Sequence, residues 1–372
     1  MVLPYDPSRR TMTRRILHVI PSLRPGGAER QLGYLCQGLV PLGWDVHVAC
    51  FEADGPVRAR IEASGASLHV LARGHTYDPR VVGELALLMR RLRPAFAQTW
   101  LTTADVVGGA AALATRTPWI LSDRCLVIED MAPPKFRVLV RMAPYARAII
   151  ANSEVAAEFW RTRLAVAPPR FVVRNALPLS ELAASPPADR AAHGVPADAP
   201  LVLTVGRINA QKNVMTLLAA LERVVRETPA VALLGGDGPL AGEVRRFIES
   251  RGLGGRVIAA GYLSNAWSWM KAADVFVSAS RYEGMPNAVM EAMAAGCPVV
   301  VSDMVNHREI VPPDAALFAP VEDPVALAAA LRDALTDRVA AKARAAAASK
   351  AAEAWSIDSV ARRYAELYEQ LG

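Results

Sequence analysis

Short runs rich in β-branched and aliphatic residues alternate with longer stretches of helical spacing from one end of the chain to the other. In the first half the short runs are Ile16–Ile20, Val46–Cys50, Ser67–Leu71, Ala95–Thr99, Trp119–Ser122 and Ala148–Ala151. A second series follows at Leu201–Val205, Val231–Leu234, Val257–Ala259, Val275–Ser278 and Val299–Ser302. Between them, "AERQLGYLCQGLV" puts Leu32, Leu35, Cys36 and Leu39 on one helical face, and "NVMTLLAALERVVRE" is a second helical stretch. Strand alternating with helix predicts parallel sheets covered by helices on both sides. Two such series predict an α/β chain of two Rossmann-like domains.

The Pro- and Ala-rich stretch "PLSELAASPPADRAAHGVPADAP" interrupts the alternation and is expected to be a linker over residues 179–200. That division puts a first domain at residues 1–178 and a second at 201–354. The tail from residue 355 to 372 is an amphipathic helix with Val360, Tyr364 and Leu367 on one side. Its length of 372 residues suits two domains, and its 52% hydrophobic content is enough for two cores.

The four cysteines, Cys36, Cys50, Cys125 and Cys297, show no CxxC spacing and read as reduced, buried thiols of a cytosolic protein. "ILHVI" near the start is too short for a signal-peptide core and reads as a strand, and no run nears the ~18 apolar residues of a membrane span. The expected location is cytoplasmic, either free or peripheral on the inner face of a membrane. Charge is uneven: residues 1–180 carry 23 Lys+Arg against 14 Asp+Glu, whereas residues 181–372 carry 19 against 22. A basic first half suits an anionic membrane surface or a phosphorylated acceptor, and an arginine-rich solvated surface explains it equally well. No aromatic-interleaved basic motif points to nucleic acid.

Candidate chemistry collects in the segments that follow strands. "PSLRPGGAERQL" opens a helix after Gly26 and Gly27, where free amides attract phosphate or hydroxyls; a plain turn fits as well. "VGRINAQKNV" places Arg207 and Lys212 after the first strand of the second series, two cations suited to a diphosphate. The glycines of "LLGGDGPL" and "AGYLSN" permit close backbone approach to a flat ligand or make simple turns. In "SRYEGMPNAVMEAMAAGCPVVVSD", Gly284 and Pro286 set a turn, a helix begins at Pro286 or Asn287, and Gly296 with Pro298 stops it. Glu283 on the turn can reach sugar hydroxyls. Glu291, about one turn into the helix among Ala288, Val289, Met290, Ala292 and Met293, can accept hydrogen bonds from a ribose.

These residues resemble the group 1 (family 4) retaining glycosyltransferases of the GT-B fold. "EGMPNAVME" matches the family's E-x7-E signature. "GGAERQL", "AIIANSE" (148–154), "VVRNAL" (172–177), "VGRINAQKN", "GGDGPL" and "REIV" (308–311) match its further motifs in order. The resemblance implies two Rossmann-like domains with parallel sheets facing across a cleft, the second binding a UDP- or GDP-linked sugar and the last helix crossing back to the first. It implies that Arg207 and Lys212 hold the donor diphosphate, and that Glu283 binds the transferred sugar with the amides of Gly284, Met285 and Asn287. Glu291 would bind the ribose, the backbone near Tyr262 and Leu263 the base, and Gly26 and Gly27 would lie under the phosphates. Transfer without cofactor or metal is implied, with retention of configuration, to a lipid-linked or polysaccharide acceptor.

The chain departs from the family in one place: where many members carry a histidine, "QTWLTTADVVGG" has Thr103. Asp105, or the pair Asp123 and Arg124 in "LSDRC", are the candidates to compensate on the acceptor side, while His18 and His47 lie in strands and read as structural. A sugar-nucleotide 2-epimerase of the same architecture and a binding protein with impaired catalysis are the competing functions.

Overall fold

The computed structural model describes residues 14–71, 80–124 and 134–372, so Cys125 lies outside the described residues. It divides into two compact units, one running to Ala176 and taking in Ile357–Gly372, the other Leu177–Ser356.

The first unit runs β1 (Arg15–Ser22), α1 (Gly27–Leu39), β2 (Asp45–Glu52), α2 (Pro56–Ala63), β3 (Ser67–Val70), α3 (Arg80–Leu92), β4 (Phe96–Trp100), α4 (Thr102–Thr115), β5 (Trp119–Asp123), α5 (Pro134–Met142), β6 (Ala148–Ala151), α6 (Glu154–Arg163) and β7 (Arg170–Val172). Its strands form one parallel sheet in the order β3-β2-β1-β4-β5-β6-β7. Strands such as β4 and β6 are buried along their whole length because helices cover both faces, which is why they read as unbroken apolar runs.

The second unit begins with α7 (Leu179–Ala184), then β8 (Leu201–Val205), α8 (Val214–Glu227), β9 (Val231–Gly235), α9 (Ala241–Ser250), β10 (Val257–Gly261), α10 (Ala266–Ala272), β11 (Val275–Ser278), α11 (Asn287–Ala294), β12 (Val299–Ser302), α12 (Val305–Arg308), β13 (Leu317–Ala319), α13 (Pro324–Thr336) and α14 (Arg338–Ala352). The sheet order is β10-β9-β8-β11-β12-β13, again all parallel. The last helix, α15 (Ile357–Leu371), buries Val360, Tyr364 and Leu367 in the core of the first unit. It lies so close to α1 that a Cβ on Gly38 would stand 2.4 Å from the Ala361 Cβ.

The fold differs from the sequence reading at three points. Strands β7 and β13 are three-residue edge strands, too short to show a period. Trp355 belongs to the second unit: it sits in a 3-10 turn, and its carbonyl accepts from the Leu177 amide at 2.7 Å. The segment 179–200 is no linker but part of the second unit, with Leu182, Val195 and Ala199 buried.

Arg190 ties that segment down. Its guanidinium donates to the carbonyls of Ala272 and Ala199, both at 3.0 Å, and pairs with Asp274 at 3.0 Å. Asp274 also accepts from the Leu201 amide at 2.8 Å and pairs with Arg338. Its side chain is only 16% exposed, so Asp274→Ala leaves a half-buried guanidinium without its counter-charge. We expect the second unit to lose about 2–4 kcal/mol, read as a lower urea midpoint at unchanged slope.

Candidate functional site

In both sheets the chain turns in opposite directions from a central strand. β1 has β2 on one side and β4 on the other; β8 has β9 on one side and β11 on the other. The helical crossovers leave on opposite faces at that place, and a crevice opens at the carboxyl ends of the two central strands. The segments after β1, β4, β8 and β11 border these crevices, and all three predicted catalytic residues lie after β8 or β11.

In the second unit the segments after β8 and β11 are bound to each other. The Arg281 amide donates to the Gln211 carbonyl at 2.9 Å, the Gln211 side-chain amide to the Tyr282 carbonyl at 3.0 Å, and the Arg281 guanidinium to the Ala210 carbonyl at 2.7 Å. This lacing places the Lys212 ammonium against Glu283, with which it forms an ion pair. The Glu283 side chain is 8% exposed and that of Lys212 28%, so the pair is poorly screened by solvent. Arg207 is exposed and makes no hydrogen bond or ion pair among the described residues. It borders a small cavity with Lys212, Gly206, Gly235 and Ser280. An exposed cation and a paired cation thus line one cavity, and the paired one holds a buried carboxylate.

The glycines nearby serve the backbone. A Cβ on Gly236, at φ +141°, would stand 1.9 Å from the Gly206 carbonyl oxygen. The Gly206 amide donates to Gly235 at 2.9 Å and Ile208 to Asp237 at 2.9 Å. "GGDGPL" therefore lets the segments after β8 and β9 touch, and protein backbone approaches Gly236 and Gly238. Gly261, at φ +68°, turns the chain after β10; Tyr262 is 80% exposed, whereas Leu263 is buried with its side chain over Gly235.

Glu291 is 7% exposed on the second turn of α11. The Asn287 amide, predicted as a ligand donor, donates to the Met285 carbonyl at 2.9 Å. Among the described residues the amides of Gly284 and Met285 have no protein acceptor, which leaves them available in the turn ahead of α11. The Met285 side chain is core, and the Gly284 carbonyl accepts from Asn306 at 3.3 Å.

In the first unit, Gly26 caps α1 in an extended conformation, and a Cβ there would stand 2.0 Å from Glu29 Oε2. The Glu29 carboxylate lies over the helix start that Gly26 and Gly27 were expected to offer to phosphate, and burial raises its pKa. Thr103, Asp105, Asp123 and Arg124 gather at the carboxyl ends of β4 and β5, engaged within the unit. Thr103 accepts from Lys135 at 2.9 Å and Asp123 from the Trp160 indole at 2.7 Å. Arg124 donates to Asn175 at 3.0 Å, bonds Tyr364 of α15 and stacks 4.6 Å above Trp100. Asp105 is 3% exposed, and burial raises its pKa well above the usual carboxylate range. His18 is buried, accepts from the Trp100 indole at 3.2 Å and is lowered to about 3 by burial, so it stays neutral.

The sequence reading did not select Gln211, Ser280, Ser302, His307 or Lys135. Ser280 had a usable signal, its place three residues before Glu283. Gln211 had one too, its place beside Lys212, whereas Ser302, His307 and Lys135 meet the candidate residues only through tertiary contacts.

Two doubly wound units, each with a crevice at its strand-order reversal and one lined by a cation–carboxylate pair, define a GT-B protein. A family model described as "Glycosyl transferases group 1" matches residues 199–337, and one described as "Glycosyltransferase Family 4" matches residues 25–181. The chain belongs to the group 1, family 4 glycosyltransferases. It is similar to the lipopolysaccharide core biosynthesis glycosyltransferases LpsE and LpsD of Rhizobium meliloti. LpsE is 38% identical over 113 residues, 30% of this chain and 32% of LpsE. LpsD is 34% identical over 150 residues, 40% of this chain and 43% of LpsD. These matches span a third to under half of the relatives' lengths. Among solved structures, Anabaena HepE in complex with UDP and glucose superposes with a TM-score of 0.83 at 22% identity, over 96% of this chain and 99% of HepE.

Proposed function

We propose that the chain is a glycosyltransferase that takes a sugar from a nucleotide diphosphate and passes it to a lipid-linked or polysaccharide acceptor in cell-surface glycan synthesis. The observation that carries this is the Lys212–Glu283 pair at the reversal point of the second sheet, with unpaired Arg207 beside it. The names of LpsE and LpsD and the ligands in the HepE structure favour the same reading.

Arg207 and Lys212 hold the diphosphate and offset the charge that grows on it as it leaves, without calling on a metal. Glu283 accepts hydrogen bonds from the sugar's hydroxyls, the amides of Gly284 and Met285 donate to its oxygens, and Glu291 takes the ribose. The bond from the anomeric carbon to the diphosphate oxygen breaks, and the acceptor oxygen bonds to that carbon on the same face. The acceptor's proton passes to the departing phosphate, so configuration is retained. The basic first half suits a phosphorylated acceptor or an anionic membrane surface. Among the described residues no helix is long and apolar enough to cross a membrane.

The test is incubation with UDP-glucose, UDP-N-acetylglucosamine, UDP-galactose and GDP-mannose, following thermal shift and slow donor hydrolysis. One donor should raise the melting temperature and be hydrolysed. Stabilisation without turnover on any acceptor would mark a binding protein, and no stabilisation by any of them would end the donor-site reading.

A further inference from the structure

The two oxygens of Glu283 are held differently. Oε1 accepts from Ser280 Oγ at 2.7 Å and pairs with the Lys212 ammonium. Among the described residues Oε2 has only the Gln211 side-chain amide, at 3.4 Å, a long and weak hydrogen bond. Two strong donors therefore converge on one oxygen and leave the other open.

We propose that Ser280 is a positioning residue for sugar transfer: with Lys212 it pins Oε1, so that Oε2 is the oxygen presented to the hydroxyls of the transferred sugar. This rests on the donor-site reading of the second unit. A glutamate on a turn can swivel about three side-chain bonds, and an ion pair alone fixes distance better than orientation. A second, directional donor sets the plane of the carboxylate.

Ser280 is suited to this because its surroundings hold it. It is fully buried, and its carbonyl, two residues past the end of β11, accepts from Ser302 Oγ of the neighbouring β12 at 2.6 Å. The Ser302 carbonyl in turn lies 2.7 Å from His307 Nδ1. A hydroxyl has one proton. If Ser280 donates it to Glu283, the contact with Ser278 Oγ at 3.3 Å has Ser278 as donor. The spacing Ser280-x-x-Glu283 is that of a helix-capping box, but no helix starts there: α11 begins only at Asn287. The bond between the two side chains therefore caps nothing.

Ser280→Ala and Glu283→Gln are compared with the wild type, using whichever of the four donors above the wild type hydrolyses fastest together with its parent nucleoside diphosphate. For Ser280→Ala we expect kcat/KM to fall about tenfold or more, as for a lost bond to a charged group. Calorimetry should show the affinity for the nucleoside diphosphate within about twofold of wild type, with the extra affinity due to the sugar lost. Equal weakening of both ligands would mean a merely structural serine and overturn the proposal. So would a Ser280→Ala enzyme with wild-type kcat/KM beside an inactive Glu283→Gln, which leaves the donor-site reading intact. If both variants transfer normally, the donor-site reading falls as well.

Discussion

Replacing Lys212 by alanine is expected to lower the rate of sugar transfer by about 100- to 1,000-fold, the scale seen when a pre-set charge stabiliser is removed. Two losses combine. On the proposed donor-site reading, the diphosphate loses the more buried of its two cations, the one that would strengthen its hold as charge develops. Glu283, 8% exposed, loses its counter-charge and keeps on Oε1 only the Ser280 hydroxyl. Lys212→Arg should recover only part of the rate, because Gly206 leaves little room: a Cβ there would already stand 3.2 Å from Lys212 Cε. Steady-state donor kinetics check this. A Lys212→Ala rate within threefold of wild type would remove Lys212 from the transition state.

Acidification is expected to destabilise the second unit, with His307 the main cause. The side chain is fully buried, its Nδ1 is 2.7 Å from the Ser302 carbonyl, and burial lowers its pKa to about 4. The unfolded chain takes up a proton below pH 6.5, while the folded chain refuses it down to about 4. Stability is thus undiminished above 6.5 and falls as pH drops through that window, by about 2 kcal/mol between pH 6.5 and 5. His307→Asn, which keeps a donor for the Ser302 carbonyl but does not titrate, should flatten the urea midpoint of the second unit over that range. In the first unit two buried groups oppose each other: His18 loses stability on acidification in the same way, whereas Asp105, with its raised pKa, gains it as pH falls toward the carboxylate range. A His307→Asn midpoint that still falls as steeply as wild type would rule His307 out.

How much was legible in the chain depends on the range of the forces involved. Period and burial are local, so eleven strands and the faces of α1 and α15 could be read directly, because a strand covered on both sides must be apolar throughout. The two-domain α/β class followed from that alternation, and the site residues after β8 and β11 followed from the rule that open sheets bind ligands at their carboxyl edge. Composition misled at residues 179–200: Pro and Ala look like a linker, yet Arg190 reaches Ala272 and Asp274, more than eighty residues away in sequence, and folds the segment into the second unit. The strand orders that put β8 beside β11, and hence Lys212 against Glu283, exist only in the folded sheet. Residue type, spacing and the family resemblance picked out Arg207, Lys212, Glu283 and Glu291 as candidates to grip a sugar nucleotide. Only the tertiary structure decided which oxygen of Glu283 is held and which is left open, because that depends on hydroxyl and ammonium donors brought together from separate strands.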